Sequence, residues 1–205
     1  MRFARTIRQI WRCCKDADGS QIAEFAVCVP LLTIFAVGIF DFSGAFNLKQ
    51  KLASAAQEGA LVAATQPTYD LLVATVPPPP SIQAIEKAIF LDLADQNVLP
   101  GAQPNTVNCG GSPTVVKTTT VAWTYTTTGC PGTLTIVIDR GCVPNGIQPF
   151  PNCSGPASTG EKVIYSHVTV SYPYLWQFQN VIQLVGGSST LPPFLNVEAY
   201  AANQS

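Results

Sequence analysis

Hydrophobic and polar positions follow three different patterns along this chain. In the first, sixteen residues from Phe25 to Phe40 carry no charge, and the apolar character resumes after Asp41 with Phe42, Ala45 and Phe46. A bilayer span needs about 20 residues. Counting from Ile22 to Phe46 supplies them, at the cost of admitting Glu24 and Asp41 near the two ends. In the second, Leu48, Leu52, Ala55, Ala56, Gly59, Val62 and Ala63 recur at spacings of three and four, while Lys49, Lys51, Gln57 and Glu58 fall elsewhere. Together these two patterns predict one helix from Ser20 to about Thr65. Pro30 has apolar helix on both sides and is expected to kink it without ending it. The small residues of the second stretch permit close approach. That suits packing on the chain's own head and lateral packing in a filament.

The third pattern begins after Pro67. Pro77 to Pro80 reads as a stiff extended spacer. Ser81 is expected to N-cap a helix running to about Asn97, with Ile82, Ile85, Ile89, Phe90 and Leu93 inward. Glu86, Lys87, Asp92 and Asp95 would be its wet face, and Pro100-Gly101 closes it. Beyond Pro104 the residues become Thr, Val, Tyr and Trp, and period-two alternation takes over. Thr114 to Thr128 reads as one strand (Val121, Trp123 and Tyr125 on one side). A turn at Gly129–Gly132 returns it as Thr133 to Asp139 with Leu134, Ile136 and Ile138 inward. Arg140 to Gly160 reads as a loop and Glu161 to Tyr172 as a strand. That strand faces the core with Val163 and Tyr165 or with Ile164, Val168, Val170 and Tyr172. Tyr174 to Val185 suggests a short apolar helix, and Leu195 to Ala201 a last strand. The expected fold is α+β: a long N-terminal transmembrane helix continuing into an amphipathic one, packed against an antiparallel β-sheet head. The expected division is 1–19 leader, 20–66 helix, 67–81 Pro-rich linker and 82–205 head.

Charge changes this picture at one place. The overall balance is −1, but residues 1–19 hold five basic against two acidic residues, a net of +3, which leaves −4 for the rest. Basic residues on the N-terminal flank of a span put that flank in the cytoplasm. No basic patch for nucleic acid remains beyond it. An ordinary secretory signal also has a basic start and an apolar run, but Glu24 has no job at the mouth of one. A carboxylate just inside a membrane is costly and asks for a cation. Cleavage between Gly19 and Ser20 would supply one, the new α-amine of Ser20 on a neighbouring subunit, with Glu24 then fifth in the mature chain.

A basic leader, Gly19-Ser20-Gln21-Ile22-Ala23-Glu24-Phe25 and an apolar helix resemble a type IV prepilin. With Pro30 and the run Lys49-Gln50-Lys51-Leu52-Ala53-Ser54-Ala55-Ala56-Gln57-Glu58-Gly59-Ala60, the resemblance narrows to the TadE-like pseudopilins, minor pilins of tight-adherence (Flp) pilus systems. Val168-Thr169-Val170-Ser171-Tyr172-Pro173 and Leu195–Ala202 look like that family's closing strands, whereas residues 100–160 depart from its shorter form. The resemblance implies a structural protein without catalytic residues or cofactor, processed at Gly19-Ser20 with Glu24 and Phe25 as determinants. It implies a single-pass protein of the bacterial inner membrane, its head in the periplasm. Its partners would be inner-membrane lipid, a prepilin peptidase, other pilins and the Tad secretion machinery, in assembly of an adhesive type IVb pilus. The alternative is an uncleaved single-pass anchor carrying a periplasmic binding or adhesion module.

Of seven cysteines, Cys13 and Cys14 precede Gly19 and Cys28 lies in the apolar helix. Cys109, Cys130, Cys142 and Cys153 read as a disulfide framework. Without a C-x-x-C pair, and with His167 the one histidine, a metal site is not expected. Cys142–Cys153 with Cys109–Cys130 is the favoured pairing, but a straight hairpin puts Cys130 at its tip. There it would be roughly 30 Å from partners at the open end, when a disulfide allows Cα atoms only about 7 Å apart. Either Cys130 is a free thiol or the run from Val115 to Thr128 bends. No nucleophile–base motif, phosphate loop or H-E-x-x-H run occurs, and His167 in a strand-like run reads as packed rather than catalytic.

Overall fold

A computed structural model of the chain describes residues 17–73, 77–99, 113–130, 132–142, 164–178 and 191–204, with the backbone alone at 17–21, 23, 72 and 73. It divides into two compact units, Met1–Gly44 with Trp176–Leu191, and Ala45–Leu175 with Pro192–Ser205.

Helix α1, Ala17–Thr65, runs through Pro30 without interruption and stops where Pro67 forbids another turn. Its N-terminal stretch is apolar and uncovered: Ile22, Phe25, Val27, Leu32, Phe35, Ile39 and Phe40 are all exposed. From Glu24 to Thr65 it is long and apolar enough to cross a membrane.

The second unit begins on the same helix, where Leu52, Ala55, Ala56, Ala60 and Ala63 are buried. Of the two uses expected for the small-residue face, packing on the chain's own head is the one observed. Gly59 shows why the residues are small. A β-carbon there would overlap Ile89 of the second helix, so the two helices approach more closely than any side chain at 59 would allow. Helix α2, Pro80–Asp95, buries Ile82, Ile85, Ile89, Phe90 and Leu93 as its spacing predicts. Two expectations fail here. Ser81 does not cap α2; Pro79 occupies the N-cap, and Pro80 stands at the start of the helix, where its missing N–H is no loss. Ser81 instead donates from N (3.0 Å) and Oγ (2.9 Å) to the carboxylate of Asp70, in the 3-10 turn Tyr69–Val73. Glu86 is buried rather than wet, because it lies four residues after Ile82 and one from Ile85, inside the apolar stripe.

Five antiparallel strands form a meander in chain order: β1 Thr114–Lys117, β2 Ala122–Cys130, β3 Gly132–Cys142, β4 Tyr165–Pro173 and β5 Phe194–Ala202. The single strand expected from 114 to 128 is two. Residues 118–121 turn the chain back, with Thr118 and Thr119 N–H groups donating to the Ala122 carbonyl and the Thr118 and Thr124 hydroxyls 2.9 Å apart. Consecutive threonines hydrogen-bond locally, which alternation alone does not reveal. The hairpin partner was expected to stop at Asp139, but β3 continues to Cys142. One face of the sheet is core: Trp123 and Tyr125, then Leu134, Ile136 and Ile138, then Val168, Val170 and Tyr172. On β4 the even-numbered set is therefore the buried one, although Ile164 just before it is half exposed. Of the helix expected from Tyr174 to Val185, residues 174–176 are not helical and 177–178 are, and residues 179–185 lie outside the described residues.

Candidate functional site

The residues singled out for processing lie on α1. Gly19 and Ser20 fall in its first two turns, three residues or less from its start at Ala17, so the Gly19–Ser20 bond is part of a helix. Glu24 follows Ser20 by four residues, one turn further along the same face, a rise of about 6 Å. Both Glu24 and Phe25 are exposed. Pro30 cannot donate an N–H to the Ala26 carbonyl. One turn on, the hydroxyl of Thr33 donates to the carbonyl of Val29 (2.9 Å). Cys28 is a free, exposed thiol on this stretch.

The cysteines of the head are in another state. Cys130 and Cys142 are fully buried and disulfide-bonded. They stand near opposite ends of β3, about 30 Å apart at strand rise, so they are not bonded to each other. Their partners lie outside the described residues, as do Cys109 and Cys153. The free-thiol reading of Cys130 is thus overturned. The bend at 118–121 removes the obstacle to it: Thr114 pairs with Thr126, so β1 starts beside the hairpin tip and not at the open end.

The buried polar groups of the head serve the fold. Arg140, buried on β3, donates from Nη2 to the Gln66 carbonyl (2.8 Å), from Nη1 to that of Pro67 (3.4 Å) and from Nε to Ser166 Oγ (3.0 Å). Burial lowers the guanidinium pKa and nearby Asp70 acts the other way. Ser166 in turn donates to Asn203 Oδ1, and Asn203 Nδ2 donates to the Arg140 carbonyl. His167 is packed, its ring stacked on Tyr200 at 4.3 Å with Nε2 3.5 Å from Glu198. Burial depresses its pKa, outweighing the attraction of Glu198 and Asp139, so it is neutral at pH 7. The hydroxyl of Thr169 lies 3.2 Å from Nε2 of the same ring. Burial lifts the Glu86 carboxyl to about 7, and its Oε1, like the hydroxyl of Tyr125, has no hydrogen-bond partner. Among the described residues no three His, Cys, Asp or Glu side chains gather as a metal site. The sequence did not mark Arg140 or Glu86 as special. Placing Arg140 at the end of a strand, and not in a loop, would have been the signal for the first.

Residues 19–61 match the family model described as TadE-like protein. The likeness covers most of α1. The matched stretch opens at Gly19 and takes in Glu24, Pro30 and the small face of α1 as far as Ala60, but none of the sheet. No curated protein and no solved structure matches the chain.

Proposed function

We propose that this chain is a minor pilin or pseudopilin of a type IVb (Flp/Tad) pilus, matured by a prepilin peptidase and acting as a structural component of pilus assembly for adhesion. The observation that carries this reading is where the TadE-like match begins: at Gly19, the residue before the expected cut. The helix behind it is apolar, exposed and long enough for a membrane. In this reading residues 1–19 stay cytoplasmic until removed and the head stands in the periplasm. Other pilins and the Tad machinery are its partners.

Because the Gly19–Ser20 bond lies in a helix, a peptidase must open a turn to reach it. Glycine eases that opening, being about 1 kcal/mol poorer in a helix than alanine. Gly19→Ala should therefore slow or block removal of the leader, by at least about fivefold from helix propensity alone. Intact-mass measurement of both proteins from cells carrying the peptidase checks this. A native chain that keeps residues 1–19 would favour the uncleaved anchor with a binding head.

Glu24 is the expected partner of a mature α-amine on a neighbouring pilin. Glu24→Ala should leave membrane insertion intact, since it deletes an intramembrane charge, and should reduce co-purification with pilins several-fold. Unchanged co-purification would remove that role.

A further inference from the structure

A second group of residues meets α1 in the membrane-associated unit. Asp41 is 7 % exposed although its neighbours Phe40 and Phe42 are open. Its Oδ2 accepts a hydrogen bond of 2.8 Å from the backbone N–H of Phe178. The rings of Trp176 and Phe178 lie 5.3 and 6.3 Å from that of Phe42. Gly38, one turn before Phe42, makes room for them: a β-carbon there would sit 3.2 Å from Phe178. One short turn, 176–178, is thus held to one level of α1 by a carboxylate, an aromatic pair and a glycine seat.

That level is where the helix should leave the membrane. From Glu24 to Asp41 the rise is about 26 Å, close to the roughly 30 Å of a hydrocarbon core. Exposed apolar side chains run up to it at Phe35, Ile39 and Phe40 and about one turn past it to Phe46, while Lys49 and Lys51 lie beyond. Tryptophan favours this zone, being apolar in body with an N–H edge that can face the headgroups. Asp41 explains the latch. A carboxylate facing lipid is expensive; engaged by a backbone N–H and covered, it is tolerated at the boundary and fixes the loop there.

We propose that the Trp176–Phe178 turn is an interfacial anchor, held by Asp41, whose aromatic rings enter the headgroup zone of the bilayer and set the depth of α1. The partner is the phospholipid surface itself. This rests on reading α1 as a membrane helix, and the experiment separates the two. The full chain is placed in phospholipid nanodiscs containing lipids brominated either near the headgroup or near the bilayer centre. The Trp176 signal is the emission difference between the native chain and Trp176→Phe. It should be quenched at least twice as strongly by the shallow bromines as by the deep ones. Asp41→Ala should shift that signal to the red and raise its quenching by aqueous acrylamide at least twofold. Asp41→Asn, which keeps the acceptor, should not. Carbonate extraction of cell membranes reports α1 independently. If the chain stays in the membrane but Trp176 is quenched only from water, the anchor is overturned and the membrane helix stands. If carbonate removes the chain, both fall.

Discussion

The two halves of α1 are both apolar, but they differ in size of side chain and in what covers them. Before Gly44 the helix carries Ile, Leu and Phe and leaves most of them open; Phe40 is 79 % exposed. After it the buried positions are chiefly Ala and Gly with one Leu, and Leu52 is wholly covered. Hydrophobicity asks only for an apolar neighbour, and bulk indicates which kind. Lipid tails conform to large side chains, whereas a helix fitted against α2 at the distance Gly59 allows has no room for them.

The sharpest way to break this contrast is to cut the same side chain from each half. Leu52→Ala should lower the stability of the head by about 2–5 kcal/mol, the usual cost of an unfilled core site. Leu32→Ala, from the open half, should change it by less than about 0.5 kcal/mol. Urea unfolding of the full chain in detergent, followed through buried Trp123, measures both. Equal losses would mean that the outer half is packed on protein.

A carboxyl buried in packed protein should report its surroundings through pH. The folded head holds Glu86 near 7 against 4.5 when unfolded, so folding favours the neutral acid. Its contribution is whole below about pH 4.5 and is lost as the pH rises through about 7. Between pH 5 and 8 this should cost about 1–3 kcal/mol, and Glu86→Gln should flatten the profile. His167 acts in the opposite sense. Its depressed pKa means stability is lost as the pH falls below about 6.5, which offsets part of the Glu86 slope there. Identical pH profiles for the native chain and Glu86→Gln would show that Glu86 is solvated.

The smallest expected effect separates the halves by thiol chemistry. Peptide mapping without reduction should find Cys28 free. It should link Cys109 to Cys130, since Cys109 precedes Thr114 by five residues and Thr114 faces Thr126 near the tip. Cys142 should pair with Cys153, closing the connection to β4. A Cys142–Cys109 peptide would refute that assignment.

Much of this was legible in the sequence, for reasons that differ by element. The end of α1 at Thr65 and the inward stripe of α2 follow from proline chemistry and from period alone. The strands alternate plainly enough that Trp123, Tyr125 and Ile136 could be assigned to the core. The failures came where a local hydrogen bond outweighed pattern. Thr118 and Thr119 fold back what alternation reads as continuous, and Asp70 takes the capping role from Ser81. Glu86 was misread because charge was allowed to override its place on the stripe. The sequence supplied the expectation of processing at Gly19, Ser20, Glu24 and Phe25, and the family match begins at the first of them. The sequence did not indicate that Asp41 and Phe178, so far apart in the chain, would meet.

Arg140 joins parts of the head that are also far apart in sequence. Its guanidinium binds the carbonyls just past the end of α1, and Asn203, tied to it, belongs to the last turns of the chain. The Gln204 N–H donates to the carbonyl of Ala64 close by. The head's first and last segments are therefore fastened at one point on the sheet. A load carried along α1 can therefore reach β3 and β4 through these hydrogen bonds as well as through the packed face of the helix.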